Sequence, residues 1–369
     1  DFNSHALHDA LPEAAYIDAL VRDLETQASD AQGREIESVF FGGGTPSLFA
    51  PAALERLLRR LESVLVFAAG AEITLEANPG TIERGRFADY RAAGINRVSL
   101  GAQSFDDASL QRLGRIHAAA DTLHAVAELE AAGLDNFNLD LMYALPQQSL
   151  AGALADVDAA LGLGPAHISH YELTLEPGTV FGGRPPAGLP DDELALEMQL
   201  GCQQRLADAG YAHYEVSAYA REGRRCRHNL NYWRFGDYLG LGAGAHGKCS
   251  YRQGAALRVE RIWREREPRR YLARAPGAPD RRAVPEGDLP FEYLMNTLRL
   301  LEGFEECEFE RRTGLAGAVL QATLARLRAR GLIEYSSGRW RASAQGLRFL
   351  NDVLGEFLPA TTAATAPPP

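Results

Sequence analysis

The sequence predicts an α/β protein built on parallel β-strands, and three observations predict it. In the first half of the 369 residues, short β-rich runs alternate with longer helical stretches. The helical stretches tend to stop at glycine, as at Gly94 and Gly133, the residue that supplies a left-handed C-cap. Isolated polar residues collect at the carboxyl ends of the β-rich runs. Strands that alternate with helices imply βαβ units and a parallel sheet.

Taken in order, the first run is Ile36–Phe41, apolar and followed at once by Gly42, Gly43 and Gly44. Ile73–Ala77, Val98–Ala102, Phe137–Met142 and His167–Leu173 read as further strands. Helical patterns separate them at Ala52–Leu65, Glu83–Ala93, Ala118–Ala132 and Leu150–Leu161. A full or partial α/β barrel and a doubly wound sheet both fit such a series, and periodicity does not separate them. In either fold, ligands sit at the carboxyl ends of the strands. Pro185–Pro190 reads as a linker and Asp191–Ala209 as a helix, while Tyr211–Gly247 is rich in aromatics and glycine and follows no simple period. Pro290–Leu358 reads as helices at Phe291–Leu301, Glu306–Thr313 and Ala318–Arg330, a hairpin around Ser336–Gly338 and a last helix. Three helices with a small hairpin suggest a winged-helix-like domain. The tail Pro359–Pro369 contains only Ala, Thr and Pro and is expected to be disordered.

Composition narrows the function. The 46% hydrophobic and 24% charged fractions are those of an ordinary globular chain. No apolar run approaches the ~20 residues of a membrane span, so the expectation is a cytoplasmic protein without a transmembrane segment, compatible with peripheral membrane contact. No signal-peptide pattern is seen, although a chain that begins at Asp1 gives that little weight. The net charge of −11 argues against a nucleic-acid partner, which would need a basic footprint, and it turns the winged-helix-like region towards a scaffold or protein-contact role. Cys202, Cys226, Cys249 and Cys307 stand far apart in no CxxC arrangement, so they read as buried or idle thiols rather than disulfides or a zinc site.

The sharpest local signal is Phe40–Ser47, FFGGGTPS. Glycines after a strand let the backbone approach a ligand, and their N–H groups can hold a carboxylate or phosphate. Thr45 adds a hydroxyl; the competing reading is a tight strand-to-helix turn. No lysine follows the glycines, which disfavours a nucleotide phosphate loop. Glu76 ends the second strand, Gln103 ends the third and Asp140 lies within the fourth; a buried carboxylate in such a place needs a partner. Arg115, in LGRIH at Leu113–His117, can grip a ligand carboxylate. Singly, each reads as a structural charge; together they offer what an amino-acid-bearing nucleoside requires.

The strings GGGTPS at Gly42–Ser47, EANPG at Glu76–Gly80, RVSLGAQSF at Arg97–Phe105, LGRIH at Leu113–His117 and LDLMYALPQQ at Leu139–Gln148 occur in that order. They resemble the radical S-adenosylmethionine (SAM) group that contains oxygen-independent coproporphyrinogen oxidase and the HemW-type haem chaperones. The resemblance covers almost the whole chain. It implies a partial (β/α)6 radical SAM barrel, here with its first strand missing, and a smaller C-terminal winged-helix-like helical domain. The implied organisation is barrel over 1–185, linker helix and an aromatic segment packing on the barrel over 186–285, C-terminal domain over 286–358 and tail over 359–369. The resemblance also implies that Gly43, Gly44 and Thr45 contact the methionine end of SAM, and that Glu76, Gln103, Arg115 and Asp140 line the rest, with Asp140 at the ribose.

The group binds a [4Fe–4S] cluster through CxxxCxxC after the first barrel strand, and that motif does not occur here. HemW-type members follow its last cysteine with Asp-Phe, and this chain begins Asp1-Phe2-Asn3-Ser4-His5. The expectation is a break just after that cysteine, so that the cluster ligands are absent and the chain as written does not cleave SAM. The oxidases carry a further cysteine where Phe2 stands. His228-Asn229-Leu230-Asn231-Tyr232-Trp233 resembles the HNxxYW motif of HemW-type proteins. Histidine can ligate haem iron and aromatics can pack on a porphyrin, so His228, Asn229, Tyr232 and Trp233 become candidate haem contacts; locally, the same residues also read as a capping histidine and packed rings. His246 is a second histidine of interest, with a structural reading as the alternative. The implied function is a haem chaperone that binds haem and hands it to respiratory haem proteins. Coproporphyrinogen III oxidase and a non-catalytic ligand-binding barrel are the rivals.

Overall fold

The structure, a computed structural model, describes residues 12–81, 86–254, 256–273 and 277–359. Asp1–His5, with Phe2, and the tail beyond Pro359 lie outside the described residues. The chain divides between His228 and Asn229 into two compact units.

The first unit opens with α1 (Glu13–Gln27) and β1 (Ile36–Phe41), followed by α2 (Pro51–Val64), β2 (Phe67–Ala77), α3 (Arg86–Ala92) and β3 (Arg97–Gln103). Next come α4 (Asp107–Arg112), α5 (Ala119–Ala131), β4 (Phe137–Tyr143), α6 (Leu150–Gly162), β5 (His167–Glu172), α7 (Val180–Gly183) and α8 (Asp192–Asp208). The strands β6 (Ala212–Glu215) and β7 (Ala218–Ala220) complete one sheet in the order β1-β2-β3-β4-β5-β7-β6. β1 to β5 are parallel neighbours, while β7 is antiparallel to both β5 and β6. The five strands expected from the sequence are therefore present in their expected order, and β2 begins earlier than Ile73.

The alternation along these strands explains how the sheet is used. Side chains of successive strand residues point to opposite faces. In β2, β3 and β4 one face carries Ile73, Leu75, Val98, Leu100, Phe137, Leu139 and Leu141, all buried. The other carries Glu72, Thr74, Glu76, Arg97, Ser99, Asn138 and Asp140. Register aligns this second set: Glu76 pairs with Ser99, Ser99 with Asn138 and Asn138 with His167, while Asp140 pairs with Ser169. The apolar face needs cover, and α2 presents the buried stripe Leu54, Leu57, Leu58 and Leu61. α3, α5, α6 and α8 follow between and after the strands, and Gly94 and Gly133 close α3 and α5 at φ +107° and +69°, as their positions in the sequence predict.

α9 (Arg227–Trp233) straddles the division. The second unit holds the antiparallel sheet β8 (His246–Gln253), β9 (Ala256–Trp263) and β10 (Asp280–Ala283), with α10 (Pro268–Ala273) between β9 and β10. The sequence reading had no strands here. Then come α11 (Leu289–Thr297), α12 (Glu306–Thr313), α13 (Ala318–Ala329), the hairpin β11 (Ile333–Ser336) and β12 (Arg339–Ala342), and two short helices, α14 (Ala344–Arg348) and α15 (Leu350–Gly355), where one was expected. Tyr293 stands at the centre of its core, edge-on to Phe235, Phe304 and Phe309 at 5.6, 5.5 and 5.2 Å. Helix, helix, helix and hairpin give the winged-helix-like arrangement.

Candidate functional site

The carboxyl ends of β1 to β5 gather most of the residues that the sequence singles out. After β1 the chain turns through Gly43 and Gly44 at φ +79° and +65°, and a Cβ on either would meet nothing within 4 Å. Glycine is required there by backbone conformation, and open space lies in front of it. The Gly43 N–H donates to Glu76 Oε2 at 3.1 Å, which joins β1 to β2. Asn78 donates to the Thr45 hydroxyl at 3.4 Å. Burial pushes the Glu76 carboxyl up to about 7, with the Gly43 N–H opposing and the nearby Asp140 charge adding to the rise.

Gln103 ends β3 at φ +67°, a left-handed conformation that costs a non-glycine residue energy. The Tyr171 hydroxyl donates to its Oε1 at 2.9 Å. The following turn is fixed by the buried Asp156, which accepts from the Ser104 hydroxyl at 2.9 Å, the Phe105 N–H at 2.6 Å and Gln148 Nε2 at 3.2 Å. Arg115 is partly buried and makes no ion pair among the described residues. Its charge is felt at Tyr171, whose hydroxyl burial holds above the usual phenol range, with Asp140 pushing the same way and Arg115 opposing.

Asp140 sits deeper. Asn138 Nδ2 donates to its Oδ1 at 2.8 Å and the Ser99 hydroxyl to its Oδ2 at 3.2 Å. Burial raises its carboxyl above the ordinary range, while the hydrogen bonds and the Arg97 charge work against that rise. The same Asn138 amide donates to Ser99 Oγ at 2.7 Å, and its oxygen lies 2.6 Å from His167 Nδ1 and 3.1 Å from Ser169 Oγ. Burial, reinforced by the Arg97 charge, holds His167 neutral. Its Nδ1 therefore donates to Asn138 and its Nε2 accepts from the Tyr214 hydroxyl at 2.8 Å. Asp140 is thus the open end of a hydrogen-bonded row running from β3 to β5.

A second cluster lies around the start of α9. Glu72 Oε1 accepts from the N–H groups of Arg227 and His228 at 3.0 and 3.3 Å and ties the helix start to β2. The His228 ring stacks on Phe40 with centroids 4.0 Å apart, and its Nδ1 stands 2.9 Å from Cys226 Sγ. Burial, then the Arg97 charge, lower His228 to about 3, so its imidazole is neutral at pH 7. Arg97 is itself buried and meets Glu72 Oε2 at 3.9 Å.

Further along α9, Tyr232 packs edge-on to Tyr238 at 4.6 Å, and the Arg299 guanidinium lies 4.3 Å above the Trp233 ring. Asn229 is partly buried and His246 is exposed at the start of β8. The structure therefore brings Gly43, Thr45, Glu76, Gln103 and Asp140 to one edge of the sheet. Sequence reasoning placed Asn78 with Glu76 at the end of the second strand but missed Tyr171, Asn138, Ser99 and Glu72. The signal was present: each lies at or just past a strand whose alternate positions are polar.

Comparison with known proteins follows the same outline. The model described as the Radical SAM superfamily matches residues 13–158, and the model of the HemN C-terminal domain matches residues 284–349. A protein of Escherichia coli (strain K12) named Heme chaperone HemW is 46% identical over 363 residues, covering 97% of this chain and 93% of the relative. A Haemophilus influenzae protein of the same name is 45% identical, again covering 97% and 93%. Among solved structures, the radical SAM enzyme coproporphyrinogen III oxidase from Escherichia coli superposes with a TM-score of 0.76. It is 22% identical and the match covers 94% of this chain and 83% of that one, so it shows the fold: a half-barrel sheet followed by a helical C-terminal domain.

Proposed function

The chain belongs to the radical SAM family of HemW-type haem chaperones, and we propose that it binds haem and passes it to respiratory haem proteins in the cytoplasm. The observation that carries this reading is the name Heme chaperone HemW on relatives 46% and 45% identical across 97% of the chain. Membership of the family implies SAM and a [4Fe–4S] cluster as cofactors of the intact protein; cluster-bound SAM supplies an organic radical in this superfamily. The four cysteines of this sequence fall in no CxxxCxxC run.

The strand-end residues fit SAM. Gly43 and Gly44 present open backbone, and among the described residues Glu76, Asp140 and Arg115 make no ion pair shorter than 4 Å. In this reading Gly43, Gly44 and Thr45 hold the methionine end of SAM. An ionised Glu76 accepts from the ammonium group, and Arg115 meets the carboxylate. Gln103, kept in place by Tyr171, borders the nucleoside, and Asp140, oriented by Asn138 and Ser99, accepts from the ribose hydroxyls. His228, Asn229, Tyr232 and Trp233 lie on or within the one helix α9 and are proposed to contact haem, with the neutral imidazole of His228 as the iron ligand.

The test is a haem titration of this chain and of His228→Ala, followed by Soret absorbance. Stoichiometric binding that the substitution weakens supports the reading and the ligand. Absence of binding by the wild-type chain overturns haem binding by these residues.

A further inference from the structure

Among the described residues one group of three metal-ligating side chains converges, and neither SAM nor haem binding uses it as a group. Glu72, Cys226 and His228 each offer one ligand atom, and those atoms all lie within 4.8 Å of one another. We propose that they form a site for a single divalent cation of the zinc class, held by one thiolate, one imidazole and one carboxylate, with a fourth position for water or a small anion.

The donor set suits that class of ion, since zinc takes sulfur, nitrogen and oxygen ligands, and a three-ligand site leaves one position open. A tetrahedral centre with bonds of about 2.0–2.3 Å keeps its ligand atoms about 3.5 Å apart. Cys226 Sγ and Glu72 Oε1 already stand at 3.6 Å, and Cys226 Sγ and His228 Nδ1 at 2.9 Å, so a small outward movement of the ring makes room. Each ligand is positioned by the fold. Glu72 is buried on β2 and fixed by the N–H groups of Arg227 and His228, while Arg97 lies beside its other oxygen at 3.9 Å. The stack of His228 on Phe40 sets the plane of the ring. Binding as the thiolate releases the Cys226 thiol proton, which passes to solvent. The Arg97 cation opposes any ion that leaves the site with a large positive charge, which favours binding as the thiolate complex. Cys226 is fully buried, and His228, partly exposed, is the side from which an ion enters.

This inference does not rest on the haem reading. An ion on His228 Nδ1 and haem iron on His228 both fail in His228→Gln, but only the cation site requires Cys226 and Glu72. The experiment titrates the full chain, stripped of metal, with cobalt(II) and then zinc(II). The expected result is a single cobalt per chain with a near-ultraviolet thiolate-to-metal charge-transfer band, which zinc abolishes by displacement. Cys226→Ser loses the band, and Glu72→Gln weakens binding while keeping the circular dichroism of the wild type. A wild-type chain that shows no charge-transfer band overturns the proposal. So does a band that survives in Cys226→Ser. Soret titration of Glu72→Gln keeps the two readings apart: unchanged haem binding with weakened cobalt binding supports the cation site, and lost haem binding with unchanged cobalt binding overturns it.

Discussion

The Tyr171 hydroxyl donates to Gln103 Oε1 across 2.9 Å, a bond that links the end of β5 to the end of β3 over the intervening strand. Gln103 holds a left-handed backbone at φ +67°, so its side chain leaves the sheet in a direction that an extended residue would not take. One hydrogen bond therefore connects a strained strand end to a phenol whose position only the sheet order supplies.

Tyr171→Phe keeps the ring and removes this bond. A net hydrogen bond contributes about 1 kcal/mol, which corresponds to a roughly fivefold loss of SAM affinity if Gln103 borders the nucleoside. Isothermal titration of SAM into the wild-type chain and the variant measures it, and equal affinities would remove the Tyr171–Gln103 pair from the site.

Glu76 gives a pH prediction. Its folded carboxyl titrates at about 7 against 4.5 in the unfolded chain, chiefly because of burial. A raised acid costs the native state nothing below pH 4.5, where both states are protonated. The cost grows as pH rises from 4.5 to about 7 and is then constant. Glu76→Gln removes it, so the variant gains stability over the wild type across that interval, with a plateau on the order of 3 kcal/mol. Asp140→Asn removes the second charge, lowers the folded Glu76 value and so brings the plateau to lower pH. Denaturant unfolding at a series of pH values checks both, and a wild-type-minus-variant difference that does not change with pH would refute the assignment.

Asp156 collects two donors from the turn that follows Gln103 and a third from Gln148. Asp156→Ala leaves the Phe105 N–H, the Ser104 hydroxyl and the Gln148 amide without their acceptor, at a cost of about 2–4 kcal/mol. The turn carries Gln103 out of β3, so SAM binding weakens along with thermal stability. Stability falling without any change in SAM affinity would limit Asp156 to the packing of the turn.

In the second unit Lys248 Nζ is buried against Asp237 Oδ1 at 2.8 Å and the Phe235 carbonyl at 2.9 Å, and burial lowers it to about 8. A depressed amine costs the native state stability that develops as pH falls from 10.5 to about 8 and stays constant below. Asp237→Ala strands the ammonium and is expected to destabilise by about 3–5 kcal/mol, more than Lys248→Met does. Equal losses in the two variants, read by chemical denaturation, would contradict a desolvated pair.

Much of this molecule was legible along the chain because its cues are local. The strands Ile36–Phe41, Phe137–Tyr143 and His167–Glu172 are short apolar or alternating runs, and Gly94 and Gly133 end their helices where a positive φ demands glycine. Gly43, Gly44, Glu76, Gln103 and Asp140 could be nominated because a parallel sheet sends its strand ends to one edge. The strands of the second unit were hidden, since β8 and β9 carry Lys248, Arg252, Arg258, Glu260 and Arg261 among their apolar residues and present no long apolar run.

Register and long-range pairing belonged to the tertiary structure alone. Nothing near Gln103 in sequence points to Tyr171, and nothing near Cys226 and His228 points to Glu72, 154 residues away from the cysteine. The sequence determined which residues are strand, helix and turn, and which few are chemically unusual, because those properties follow from neighbours a few positions apart. Which of them meet was decided by sheet order and register, because hydrogen bonds between strands and the burial that moves a carboxyl to about 7 exist only once distant segments have closed around it.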